Sequence, residues 1–178
     1  MPCPEVRRLA PPDAPLHRKL MLEAYAFSAE AFTSSVTERE ALPLQWWADR
    51  MADTPSASEL VFGAFIGEEL VGAAGLSVER RERTRHKATL FGMYVRPAHR
   101  EGGIGGLLVR SILRHARESG RVEVVQLTVS ERNAGAIGLY ARCGFLCFGT
   151  EPMAVKLGES YINKVHMWQR VAPDAPWR

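Results

Sequence analysis

Within five consecutive positions the chain carries four glycines, Gly102-Gly103-Ile104-Gly105-Gly106, and they fall where the residue pattern changes period. Before them, Ala88 to Val95 reads as a strand stopped by Pro97. After them, Ile104, Leu107, Leu108, Ser111, Ile112 and His115 follow with helical spacing. The run therefore predicts a strand–turn–helix junction whose backbone adopts dihedrals closed to other residues and comes close to a ligand. Unpaired N–H groups and the positive end of the helix dipole face an anion at such a junction. A pyrophosphate is the natural guest, because a nest of backbone donors holds it without a lysine. Glycines here can equally serve tight helix–strand packing, and the run alone does not choose between the two uses.

Two other phosphate-binding patterns are excluded by the same residues. GxxxxGK[ST] is absent, so the junction is no P-loop. GxGxxG fails because Leu108 stands where the third glycine would be, counted from Gly103. The run also follows a hairpin in mid-chain, whereas the dinucleotide fold places its glycines in the first βα unit.

The other elements are read from period and punctuation. Glu5 to Leu9 is a short strand ended by Pro11-Pro12, and Asp13 looks like a helix N-cap with Pro15 in the first turn. Leu16, Leu20, Ala24, Phe27 and Ala31 form an amphipathic helix that Thr33-Ser34-Ser35 breaks. Leu44, Trp47, Ala48 and Met51 suggest a second helix, with Pro43 at its start. Glu59 to Ile66 and Leu70 to Val78 flank the turn Gly67-Glu68-Glu69 as a hairpin, and Arg80 to Lys87 is a charged connection. Gly120 ends the helix after the glycine run, and Val122 to Val129 reads as a strand buried on both faces. Asn133 to Arg142 is a short helix closed by Gly144, and Phe145 to Gly149 and Tyr161 to Arg170 complete the strands.

The 178 residues, 46% of them hydrophobic and 24% charged, suit a single mixed α/β domain over 1–178. Its core covers about 4–171, and 172–178 is a frayed tail. The net charge of +3, spread along the chain, gives no concentrated basic face for nucleic acid. Three cysteines, Cys3, Cys143 and Cys147, build neither a disulfide framework nor a zinc site, so no metal is expected. No signal peptide and no apolar run of membrane-spanning length is present. These features describe a cytoplasmic protein with reduced thiols that does not enter a membrane.

The string Met93-Tyr94-Val95-Arg96-Pro97-Ala98-His99-Arg100-Glu101-Gly102-Gly103-Ile104-Gly105-Gly106 resembles the acetyl-CoA signature of the GNAT superfamily of N-acetyltransferases, R/Q-x-x-G-x-G/A. Arg100, Gly103 and Gly105 match its fixed places. Asn133, Leu139, Tyr140, Gly144 and Phe145 resemble the family's second signature. One departure is Glu101-Gly102, where the family usually has glycine directly after the arginine. Glu101 is expected to face solvent, because a carboxylate turned toward a pyrophosphate would weaken cofactor affinity.

The resemblance implies an α/β (α+β) domain of the GNAT type, with a mixed central sheet of about six to seven strands and about four helices. It implies acetyl-CoA as co-substrate, bound by backbone groups of Met93, Tyr94 and Val95 and by the turn Arg100, Glu101, Gly102, Gly103, Ile104, Gly105 and Gly106. Asn133 would hydrogen-bond the pantetheine arm. Tyr140 would lie near the sulfur as general acid, a phenol of reference pKa about 10 that is protonated at neutral pH. Asn133 and Tyr140 are seven residues apart, nearly two helical turns, so both project from one face. Packing against the sheet is the alternative role for Tyr140.

The implied reaction is acetyl transfer to a primary amine by direct attack in a ternary complex, so Cys143 and Cys147 are read as small packing residues. The base stays open: Glu30, His86 and His166 are candidates that no spacing singles out. In such folds the first two helices and last strands build the acceptor pocket. Here they offer Phe27, Phe32, Trp46, Trp47, Tyr161 and His166, with Glu30, Glu38 and Glu40 nearby. Aromatics with carboxylates suit a cationic amine. Trp47, on the apolar stripe, is the one assigned to the core. A small-molecule acceptor is the first reading. A protein or peptide amine, a non-catalytic acyl-CoA sensor and a homodimer stay open.

Overall fold

Strand alternation sorts the side chains of one sheet into two cores. Leu60 and Val61, neighbours in β2 (Glu59–Ile66), point to opposite faces and join different clusters. In the computed structural model, which describes residues 3–172, this sheet has seven strands in the order β1-β2-β3-β4-β5-β7-β6. β1 is Glu5–Arg8, β3 Glu69–Val78, β4 Lys87–Val95, β5 Val124–Ser130, β6 Leu146–Leu157 and β7 Ser160–Arg170. Only β4 and β5 run parallel; every other neighbouring pair is antiparallel.

α1 (Ala14–Phe27), α2 (Val36–Glu40) and α3 (Leu44–Asp49) lie before β2 in the chain. α1 and α3 cover one face, burying Leu20, Met21, Ala24 and Trp47 against Val61, Phe65, Ala73 and Tyr94. α4 (Ile104–Glu118) covers the other, setting Ile104, Leu108, Val109 and Ile112 against Val71, Leu76, Leu90, Val125 and Leu127. Each such leucine or isoleucine contributes about 1.5–3 kcal/mol when removed from water. α5 (Ala134–Arg142) adds Tyr140 to this second core.

The parallel pairing of β4 and β5 is short. It joins Lys87, Ala88 and Thr89 to Val124, Val125 and Gln126, and goes no further among the described residues. Gly92 explains the divergence. It sits at φ +60° inside β4, and the β3–β4 register shifts there. A bulge of this kind bends its strand and ends ladder pairing. From Leu90 to Val95, β4 is bonded to β3 alone, and its β5-facing main-chain groups line an opening wedge. α4 and α5 start beyond the two diverging strand ends, where open α/β sheets bind ligands.

The sequence reading needs correcting at several elements. Asp13 takes the N-cap position of α1, as expected, but its side chain makes no cap bond: the carboxylate accepts from the Ala10 backbone N–H at 2.9 Å and pairs with Arg7 at 2.8 Å. Ala31 lies outside α1, in a separate 3-10 turn. A fifth helix, α2, opens with a Ser35–Glu38 capping box. β5 is not covered on both faces: Val125, Leu127 and Val129 are buried, while Thr128 is exposed where the wedge opens. β6 runs to Leu157, well past Gly149, with Met153 at φ +54°. Cys147 is exposed, so only Cys143 packs against the core. The expected frayed tail lies outside the described residues from 173 onward.

Candidate functional site: a glycine turn and an aromatic cavity on one strand

The glycines of the turn divide between the two uses that the sequence left open. Gly103 is the N-cap of α4 at φ +76°, and no side chain caps the helix there. A Cβ built at Gly103 would meet nothing within 4 Å, and one at Gly102 only the His99 carbonyl at 3.8 Å. This part of the turn presents bare main chain, and the first N–H groups of α4 beyond it lack intrahelical acceptors. Gly105 is different. A Cβ there would stand 2.9 Å from Leu139 and 3.1 Å from Met93, so its lack of a side chain lets α4, α5 and β4 close on one another.

Arg100 holds the turn against its strand. Its Nε donates to the Val95 carbonyl at 2.9 Å, and its guanidinium lies 5.7 Å from the Tyr94 ring centroid. The Tyr94 side chain faces α1, where its hydroxyl donates to Glu23 at 3.3 Å, so only its main chain borders the wedge. Glu101 is exposed and takes φ +68°, the left-handed region that glycine would occupy without strain.

Across the wedge, Asn133 caps α5, its Oδ1 accepting from the Ala136 N–H at 3.0 Å. That leaves its amide NH2 as the free donor. Tyr140 is 5% exposed, with its ring 5.9 Å from Phe145 in an edge-on contact. Burial pushes the phenol well above its ordinary pKa, and its hydroxyl makes no hydrogen bond to another described residue. The group therefore stays protonated at neutral pH.

On the α1–α3 face, a cavity of about 420 Å³ reaches β4 at Phe91 and Gly92. Tyr25, Phe32, Trp46 and Phe91 supply aromatic walls, and Arg39, Arg50 and Glu59 supply charge. Arg50 pairs with Glu59 at 3.1 Å. His17 lies at the inner end beside Trp47, and burial, reinforced by the Arg50 charge, pushes its imidazole down to about 4.

Of the residues expected at an acceptor pocket, Phe32 and Trp46 line this cavity, and Trp47 touches it from the core. Tyr161 and His166 do not. Tyr161 is 43% exposed near Lys156, and His166 pairs with Glu151 at 2.9 Å on β6. Glu30 and Glu40 are exposed, and Glu38 accepts from the Ser35 N–H to cap α2. Glu59 is the carboxylate among the described residues that line the cavity, beside Arg39 and Arg50.

Arg39, Arg50, Tyr25, Phe91 and Gly92 went unrecognised in the sequence. Two signals were available. Ser35-Val36-Thr37-Glu38 is a capping-box pattern that announces α2 and so places Arg39. A glycine inside a strand pattern, as at Gly92, marks a bulge. Among the described residues, no group of three or more His, Cys, Asp or Glu is placed to hold a metal. No helix there is long and apolar enough to cross a membrane.

The chain is 34% identical over 122 residues to the L-amino acid N-acetyltransferase AaaT of Escherichia coli (strain K12), spanning 68% of this chain and 73% of that protein. It is 40% identical over 80 residues to N-acetyltransferase 8B of Rattus norvegicus, covering 44% of this chain but 36% of that longer protein. The fold superposes on yncA of Salmonella typhimurium, solved with its cofactor acetyl-CoA, with a TM-score of 0.80 over 99% of this chain and 98% of that one, at 19% identity. The Acetyltransferase (GNAT) family model matches residues 21–145, a span from α1 through the wedge and glycine turn to the end of α5. The chain therefore belongs to the GNAT family of acetyltransferases and is an acyltransferase enzyme.

Proposed function

We propose that the protein moves an acetyl group from acetyl-CoA to a small primary amine, with the two substrates meeting at β4 from opposite faces of the sheet. One observation carries this reading: the bulge at Gly92 frees the edge of β4 on the way to the glycine turn, and the same bulge borders the aromatic cavity. A donor along the wedge and an acceptor in the cavity then share one strand.

The residues present fit the cofactor. The bare main chain at Gly102 and Gly103 and the uncapped start of α4 suit a pyrophosphate, with the exposed Glu101 carboxylate as the one opposing charge. The unpaired edge at Met93, Tyr94 and Val95 and the Asn133 amide suit the amide-bearing arm. Acetyl-CoA supplies the acyl group as a thioester; the chain supplies alignment, a dry setting and proton control. A backbone N–H from the free edge of β4 polarises the carbonyl. The Tyr140 phenol, kept protonated by burial, donates a hydrogen bond to the leaving sulfur. Being a weaker acid than a free phenol, it stabilises the sulfur mainly by that bond, and transfers its proton only as far as desolvation also makes the sulfur more basic.

Neither cysteine is needed. Burial raises the Cys143 pKa, which keeps the thiol neutral, and Cys147 is exposed on β6. The cavity's size favours a small acceptor over a polypeptide, in keeping with the L-amino acid acceptor in the name of the Escherichia coli relative. A cytoplasmic setting fits the three cysteines, none of which is paired in a disulfide.

Calorimetric titration with acetyl-CoA, followed by a thiol-release screen over amines, tests the proposal. Micromolar binding together with release of free CoA for one amine class is expected. Binding without release for any amine would make the protein an acyl-CoA sensor, and absence of binding would overturn the cofactor assignment.

A further inference from the structure

The cavity has an unbalanced charge inventory. Arg39 and Arg50 line it with Glu59 as their only carboxylate neighbour there, and Glu59 is engaged by Arg50 at 3.1 Å. Arg39 forms no ion pair among the described residues, and its Nε is buried without a hydrogen-bond partner. Leaving a guanidinium N–H without an acceptor away from water is costly. Aromatic rings meet part of that cost. The Arg39 guanidinium lies 4.8 Å from the Trp46 centroid and 5.9 Å from that of Tyr25, while Arg50 lies 4.5 Å from Trp46 and 4.9 Å from Phe91. The rings attract the charge and the Tyr25 hydroxyl accepts from Arg39, but neither fills the planar fork of N–H donors, whose matching partner is a carboxylate.

Building on the reading of the cavity as the acceptor site, we propose that the acceptor is a carboxylate-bearing small amine of the amino-acid type, its carboxylate held by Arg39 and Arg50 beside the Trp46 ring. Both guanidiniums lie against one indole and repel each other, a repulsion that a single anion reaching both offsets. Arg50 also lies over Phe91, the residue before the Gly92 bulge. An acceptor anchored there needs only a short span to bring its amine to β4. The pair lies on the α1–α3 face, away from the α4 start that suits the pyrophosphate, so it is separate from the phosphate site.

The test compares thiol release for the proteinogenic L-amino acids, each matched with its carboxamide and its decarboxylated amine. At least one carboxylate member is expected to exceed its matched partners about 10-fold or more in kcat/KM. Arg39→Gln should raise KM for that amino acid by about 10- to 100-fold, a much larger change than for its carboxamide, with acetyl-CoA affinity retained. Arg39→Lys should recover part of the loss, and its circular dichroism together with that of Arg39→Gln checks folding. Calorimetry with benzoate against benzamide reads the anion site without turnover: benzoate alone should bind, and Arg39→Gln should abolish that binding. Carboxamides or plain amines that match their carboxylates, or benzoate binding that survives Arg39→Gln, would overturn the proposal. Benzoate binding lost in Arg39→Gln, with no acetyl-CoA binding and no thiol release, would sustain the anion site while the transferase reading fails.

Discussion

Toward its C-terminal end β4 meets a turn built of main chain: a left-handed glycine, an uncapped helix start and a strand edge released from its neighbour. Beside its bulge it meets a cavity built of side chains from α1, α2, α3 and β2, separated by up to several dozen positions in the sequence. In the proposed reading, the first region meets what every donor molecule shares, a phosphate group and amide bonds, so backbone groups would suffice and glycine spacing records them. The second would have to select one acceptor among many, which calls for residue identity placed by tertiary packing.

Substitutions at the two regions should fail in different ways. Gly103→Asp is expected to have the largest effect, loss of measurable acetyl-CoA binding by calorimetry. A Cβ there meets no protein atom, so denaturation should show a stability change of only about 1–2 kcal/mol from the left-handed backbone. Equal damage to folding and binding would break the distinction between backbone-built and side-chain-built sites. Tyr140→Phe should lower kcat by about 100- to 10,000-fold with acetyl-CoA affinity retained, since the ring still packs on Phe145. Normal turnover would leave the tyrosine as packing alone.

His17 sharpens the contrast from the cavity side. The unfolded chain binds a proton near pH 6.5, whereas the buried imidazole resists one until about 4. Between those values the unfolded state holds more protons, so stability falls as pH drops, by about 3 kcal/mol across the window. Urea titrations of the protein and of His17→Leu at neutral pH and near pH 4 should show this acid-side loss in the first and its absence in the second. The smallest effect belongs to the turn: Glu101→Gly should tighten acetyl-CoA binding about two- to fivefold by removing an exposed, screened carboxylate. Unchanged affinity would mean that this carboxylate is fully solvated away from the pyrophosphate.

Legibility in the sequence follows the same division. The β2–β3 hairpin, the α4 junction and the closing Gly144 at φ +96° were readable because local period and local dihedral need determine them. Asp13 holds the N-cap position that the sequence marks, but its carboxylate serves the preceding 3-10 turn and Arg7, a choice made by tertiary contact. Tyr161 and His166 were placed near the acceptor by the general build that the resemblance implies. The pairing of β7 with β6 sets His166 within reach of Glu151, a neighbour that only the register reveals. Arg39 and Arg50 gave no periodic signal, since an arginine on a short helix reads as surface until its neighbours are known.

Three residue pairs between β4 and β5 make the one ladder, among the described residues, that joins an antiparallel block β1–β4 to an antiparallel block β5–β7–β6. Mechanically the sheet is two plates stitched along one short edge and spanned by α4, which packs on both. Relative rocking of the plates about that stitch would change the width of the wedge without breaking any other ladder. Amide hydrogen exchange should then resolve the plates as separate units, with the β4 edge beyond Thr89 slowing only when a ligand bridges it. A ligand lying in the wedge, as proposed, would supply across the opening the cross-links that the diverging strands lack.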